Sequence, residues 1–93
     1  MSSKSYKSRV ASLGCILCRH FDLGETPATL HHVREGQGMS QRASDYLVIP
    51  LCKACHQGPN GLHGLGTRGF YNRYKLDELD LLAFTLEALS KHG

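Results

Sequence analysis

The chain of 93 residues contains no tryptophan and only three prolines, and its four cysteines are confined to two short segments. No apolar run approaches the ~20 residues that a membrane-spanning helix needs, so we expect no transmembrane segment. The first nine residues are polar and lack the apolar segment of a secretory signal, which predicts a cytoplasmic protein with reduced cysteines. Repeats and low-complexity tracts are also absent, so a single domain over residues 1–93 is expected.

Neither sign of charge dominates, since 11 basic and 8 acidic side chains give a net charge of +3. This mild excess permits contact with nucleic acid without requiring it. A domain this small buries only about 60–65% of the surface that its unfolded chain exposes, and it often needs a staple. Bound metal is one such staple, because its binding free energy then contributes to folding.

The cysteines form two CxxC pairs separated by 33 residues: Cys15 with Cys18, and Cys52 with Cys55. Two close pairs from distant parts of a chain are typical of a tetrahedral zinc site. Four thiolates would fill the coordination shell and leave no position for a substrate, so we predict a structural zinc ion. Disulfides and thiol redox chemistry are the alternatives. The lack of a secretory signal and of a βαβ context disfavours both.

The remaining pattern predicts a small α+β domain. Residues 1–9 are expected to be flexible, with a short helix over about 6–13 that ends at Gly14. Residues 29–33 and 46–49 predict two strands, and Pro50 either ends the second strand or lies on its edge.

Residues 77–91 predict a C-terminal amphipathic helix, capped by Asp77 and Asp80. Its apolar residues at helical spacing should form one face that packs on the core or on a partner: Leu79, Leu82, Ala83, Leu86 and Leu89.

Six histidines remain outside the cysteine pairs, and four of them form a suggestive pattern. His31 and His32 are adjacent on a predicted strand and should point to opposite faces. His56 directly follows Cys55, and His63 comes seven residues later. This surplus around a complete cysteine site favours an enzyme, although one buried and one exposed structural histidine would also explain the adjacent pair. His20 and His92 are interpreted as ordinary surface histidines, with His20 as an alternative zinc ligand.

The order of these residues resembles the HNH endonucleases of the ββα-metal type. The motifs that carry the resemblance are the double histidine, both CxxC pairs, the strand ending Ile49-Pro50-Leu51 and the trailing His56 and His63. The glycine-rich stretch over residues 31–65 looks closer still to phage and prophage nucleases of the recombination-enhancing Ref type, described as RecA-dependent. The resemblance covers residues 13–65, and it implies a zinc-stapled HNH domain with flanking helices.

The resemblance also implies the roles of a metal-dependent DNA endonuclease. His31 would bind a catalytic divalent metal together with His56 and His63, or with only one of these two. His32 would be the general base that activates water. An imidazole with a pKa near ~6.5 can accept a proton at cellular pH, and a divalent ion can offset charge on the phosphate. Mg²⁺ is the expected ion, with Mn²⁺, Ni²⁺ and Zn²⁺ as alternatives. DNA is the expected partner, and a RecA filament is a further candidate.

The chain departs from the family pattern at two points. No asparagine lies between His32 and Cys52 to orient the base, and Asp45 is the nearest polar candidate. Asp45 would accept a hydrogen bond from the ring of His32, or it would simply begin the second strand. The spacing of His56 and His63 also includes two glycines and a proline, which disfavours one continuous helix.

Basic residues around the predicted site are candidates for contacts with DNA phosphates: Arg34, Arg42, Lys53, Arg68 and Arg73. No feature indicates base reading, so we expect weak sequence preference. The competing hypothesis is a non-catalytic zinc-binding module that contacts DNA or a protein. It would need the four cysteines but not the histidines.

Overall fold

The computed structural model describes residues 3–33 and 44–92 of the chain, the side chain of His92 excepted. The α+β class is confirmed, with a two-stranded sheet surrounded by helices in these segments. In chain order the elements are α1 (Ser3–Ser12), α2 (Ile16–His20), β1 (Thr29–His32), β2 (Val48–Leu51), α3 (Lys53–Gln57), α4 (Leu62–Tyr74) and α5 (Glu78–His92). None of the helices in the described part of the chain is long and apolar enough to cross a bilayer.

The two strands pair antiparallel, with His31 opposite Ile49 and His32 opposite Val48. Strand β2 begins two residues later than predicted and contains Pro50, which was expected either to end the strand or to lie on its edge. Every residue of β2 is buried, because α1, α2 and α5 all contact this strand. In a two-stranded sheet each strand keeps one unpaired edge, so the missing N–H of a proline is tolerated.

Helix α1 begins at Ser3, three residues before the predicted start at about residue 6, within the segment that was expected to be flexible. The reason lies in tertiary packing. Val10 is fully buried, and the ring of Tyr6 lies 5.1 Å from that of Tyr46 between centroids. The helix ends at Ser12, close to the predicted stop, and Gly14 has the positive φ of 76° that is common after a helix.

Helix α5 has the predicted cap but a different buried face. The Asp77 carboxylate accepts from the Asp80 backbone N–H at 2.9 Å, and the Asp80 carboxylate accepts from that of Asp77 at 3.0 Å. The predicted apolar face does not pack as a whole on the core, since Leu79 and Leu86 are 51% and 48% exposed, and its alternative role as a partner surface stays a prediction. The buried face is displaced around the helix and includes two polar residues: Glu78, Leu81, Leu82, Thr85 and Ala88.

A tight turn joins α3 to α4 and accounts for the long spacing between His56 and His63. The N–H of Gly61 donates to the carbonyl of Gly58 at 2.9 Å, so the chain reverses between the two short helical segments. A Cβ added at Gly61 would lie 2.5 Å from the backbone oxygen of Ala54, and one at Gly64 would lie 2.1 Å from that of Gly58. Glycine at these two positions therefore lets α4 approach α3 closely.

Replacing Gly64 with alanine is expected to destabilise the domain by about 1–3 kcal/mol or more, because the new methyl group meets backbone atoms that cannot rotate away. Thermal unfolding followed by circular dichroism measures the loss. Gly69→Ala, beyond the kink that Gly66 makes in α4, is the control, since its nearest neighbour is a side-chain atom, Cβ of Leu65, at 3.2 Å. Equal stability of both variants would show that the helices do not need this close approach.

Candidate metal centres

The four cysteines converge on one point. Cys15 and Cys52 precede α2 and α3, and Cys18 and Cys55 lie within those helices. Sγ of Cys18 is 3.9 Å from that of Cys52 and 3.8 Å from that of Cys55, and all four sulfur atoms lie within 4.8 Å of one another. Zn–S bonds of about 2.3 Å in a tetrahedron place sulfur atoms about 3.8 Å apart. The cluster fits a zinc site.

The surroundings of these thiols match a structural site. Cys15, Cys18 and Cys52 are buried. Burial raises the pKa of Cys15 and of Cys55, so thiolates there depend on a bound cation to replace their protons. The site would join α2 to α3, two helices that are far apart in sequence. A zinc ion bound there would act as a staple between the two halves of the domain.

Three histidines form a second, separate cluster. His31 extends from β1, His56 lies in the last turn of α3, and His63 lies in the first turn of α4. Nδ1 of His31 is 3.2 Å from Nε2 of His56, which is 3.0 Å from Nε2 of His63. The three nitrogen atoms lie within 4.8 Å of one another. The structure thus brings together the three histidines that were predicted to bind metal.

Hydrogen bonds on the outer ring nitrogens define the tautomers of two of these histidines. Nε2 of the buried His31 donates to Oε2 of Glu78 at 2.5 Å, and in the neutral ring this leaves a lone pair on Nδ1. The Thr29 hydroxyl donates to the carbonyl of Leu51 at 3.1 Å, so its oxygen accepts from Nδ1 of His56 at 3.3 Å. His56 therefore presents a lone pair at Nε2.

When His31 is neutral, two lone pairs face each other across 3.2 Å, an arrangement that a cation between them would relieve. Burial, helped by the neighbouring His31 and His63, lowers the pKa of His56, which disfavours an added proton there. Ligands bonded to a metal at about 2.0–2.1 Å would lie roughly 3.0–3.4 Å apart, close to the spacing observed. The three imidazoles therefore fit a divalent metal ion, and the exposed ring of His63 leaves one side open to solvent.

His32 is the next residue of β1 and has different neighbours from His31. Its ring is 40% exposed, and its Nε2 lies 3.0 Å from Oδ1 of Asp45. Lys7 of α1 lies 3.6 Å from the other oxygen of that carboxylate. The hydrogen bond with His32, followed by the charge of Lys7, lowers the pKa of Asp45. An ionised Asp45 accepts from Nε2–H, so the lone pair of His32 is on Nδ1.

The other predicted residues are more dispersed. Lys53, Arg68 and Arg73 are exposed on α3 and α4, the helices that carry His56 and His63. Arg34 and Arg42 lie outside the described residues, as does the side chain of His92. The ring of His20 stacks on that of Phe84, with centroids 4.5 Å apart, and it is not part of the cysteine cluster.

Sequence reasoning missed Glu78 and Thr29, which hold His31 and His56. Glu78 lies 47 positions after His31 and reads as an ordinary acidic residue in the first turn of a helix. The sequence signal for Glu78 is its spacing. It lies three and four residues before Leu81 and Leu82, which places it on the buried face of the helix. No protein-family model, curated protein or solved structure matches the chain.

Proposed function

We propose that the protein is a metal-dependent DNA endonuclease that hydrolyses phosphodiester bonds. The observation that carries the proposal is the convergence of His31, His56 and His63 on one point, beside a His32 whose tautomer is set by Asp45. The order of two antiparallel strands and a helix, with a cysteine cluster at the end of β2, also supports the resemblance to HNH nucleases. Its placement among the Ref-type nucleases rests on the sequence resemblance.

His32 is the proposed general base. Its exposed ring reaches solvent, and its Nδ1 is free of the Asp45 contact, so it can accept a proton from an attacking water molecule. Asp45 stabilises the imidazolium that forms and holds the ring in place. A divalent ion at the three histidines would supply Lewis acidity toward the phosphate and the leaving oxygen.

The donor set changes the metal that we expect there. Mg²⁺ prefers oxygen ligands and holds most of its water, whereas three imidazoles suit Zn²⁺, Ni²⁺ or another transition metal. The described residues of the cluster offer three imidazole nitrogens, with Glu78 bonded to the outer side of His31. We therefore propose a transition metal such as Mn²⁺, Ni²⁺ or Zn²⁺ in place of Mg²⁺.

DNA is the proposed substrate because α3 and α4, the helices that carry His56 and His63, also carry exposed cations. Lys53, Arg68 and Arg73 can meet backbone phosphates, which give affinity without sequence preference. Action on phage or prophage recombination intermediates, with a RecA filament as partner in a bacterial cytoplasm, is a proposal that rests on the resemblance.

A non-catalytic zinc module is the second candidate, favoured by the closed cysteine cluster. The two hypotheses differ in the number of metals bound. The module predicts one tightly held zinc ion per chain, and the nuclease predicts a second ion that exchanges readily.

The variant His63→Ala is expected to lose the exchangeable ion and keep the thiolate-bound one. His63 is exposed at the start of α4, so the substitution removes a ligand without opening the core. Metal analysis after dialysis counts the ions, and nicking of a supercoiled plasmid measures cleavage. We expect a loss of affinity at the second site of at least ~10–100-fold, because even outer-shell changes cost that much. His20→Ala is the control, and equal metal content in both variants would support the module instead.

A further inference from the structure

We propose that Glu78 is a positioning residue of the histidine centre, acting through His31, and that it makes α5 part of that centre. The inference rests on the proposed metal site. Glu78 is the first residue of α5, and its carboxylate lies 2.5 Å from Nε2 of His31 on the side of the ring away from His56. Nothing in the sequence resemblance assigns it a role.

The burial of Glu78 needs an explanation that packing does not supply. Its side chain is 6% exposed and that of His31 is 4% exposed, although carboxylates are rarely buried without a partner. A carboxylate removed from water is costly unless a donor and a compensating positive charge lie close by. The Nε2–H of His31 supplies the donor, and a dication bound to Nδ1 of the same ring would add positive charge.

The arrangement matches the carboxylate–histidine–metal relay seen in many metal sites. The carboxylate holds the proton on Nε2, fixes the ring orientation and raises the basicity of the opposite nitrogen. The hydroxyl of Thr29, which is neutral, accepts the corresponding hydrogen bond from Nδ1 of His56. Of these two outer contacts, the one from Glu78 brings charge, so it should contribute more to metal affinity.

The position of Glu78 also couples the metal centre to the C-terminal helix. The reciprocal Asp77 and Asp80 cap fixes the start of α5, and Leu81 and Leu82 bury the following turn. Docking of α5 therefore delivers the carboxylate to His31. Metal bound at the histidines should in turn stabilise this docking, because the two equilibria are linked.

The test is Glu78→Gln, which keeps the size of the side chain and an acceptor oxygen but removes the charge. We expect the affinity of the exchangeable site for Mn²⁺ or Ni²⁺ to fall ~10–100-fold, measured by competition with a chelator of known affinity. The thiolate-bound zinc should be unchanged and serves as an internal control. Glu87→Gln is the control for Glu78→Gln. Glu87 lies on the same helix, is 64% exposed and forms a surface ion pair with Lys91 at 3.1 Å.

A second measurement needs no variant. In the wild-type protein with the exchangeable ion removed, ¹⁵N NMR of the histidine rings should show His31 protonated at Nε2. A proton on Nδ1 would overturn the proposal, as would Glu78→Gln with wild-type metal affinity. The nuclease hypothesis fails separately: if Glu78→Gln weakens the second ion but the wild-type protein with that ion bound leaves DNA uncut, cleavage is refuted and the role of Glu78 stands. Absence of any exchangeable ion in the wild type would refute both.

Discussion

Removing the zinc ion from the four cysteines is expected to unfold the domain. Apparent zinc-binding free energies of structural sites are about 10–16 kcal/mol at neutral pH, whereas a whole small domain is stable by only about 5–15 kcal/mol. The cysteines of this cluster hold α2 against α3, and three of them are buried in the core beside Ile16, Leu17 and Leu51. Loss of the ion would leave buried thiols with raised pKa values and no link between the halves of the chain.

Circular dichroism during treatment with a chelator strong enough to strip thiolate zinc follows this unfolding. Cys52→Ser should give the same loss of structure without a chelator. His63→Ala is the matched control, because it removes a ligand of the other cluster and should remain folded. A metal-free protein with native helix content and an unchanged Tm would show that the cysteine cluster is not a staple.

Replacing His32 with alanine is expected to lower DNA cleavage by about 10²–10⁴-fold, the usual contribution of a general base. The ring is 40% exposed and lies outside the buried core, so folding and both metal sites should persist. Asp45→Asn should give a smaller loss, because it keeps the side chain in place but removes the charge that holds the ring tautomer. Single-turnover cleavage at saturating metal measures both effects.

The control for His32→Ala is His20→Ala, which removes a second exposed histidine that packs on Phe84. Metal content must be measured on each variant, so that loss of an ion is not mistaken for loss of the base. Cleavage by His32→Ala at the wild-type rate, with both ions bound, would refute the assignment of the base.

Local spacing predicted the cysteine cluster, because a CxxC pair carries two ligands and most of the geometry within one turn of chain. The grouping of His31, His56 and His63 was also predicted, but from a resemblance rather than from their spacing. The seven-residue gap that seemed to break the pattern is spanned by the turn at Gly58 and Gly61, which brings the start of α4 back beside α3.

The parts that the sequence did not predict depend on contacts between distant segments. Helix α1 starts early because Tyr6 and Val10 pack on the rest of the domain, which the polar composition of residues 1–9 does not show. The buried face of α5 differs from the predicted one because the spacing of apolar residues selects Leu79, which is exposed, and not Glu78, which is buried. The buried carboxylate has its explanation in His31, a residue on another element.

The most direct test of the central claim is cleavage of supercoiled plasmid by protein that retains its thiolate zinc but has lost its exchangeable ion. We predict no cleavage in this state, and recovery on addition of Mn²⁺, Ni²⁺ or Zn²⁺ at one ion per chain, with weaker recovery in Mg²⁺. Full occupancy of the histidine site by any of these ions without cleavage of DNA would contradict the account, as would cleavage that persists without the exchangeable ion.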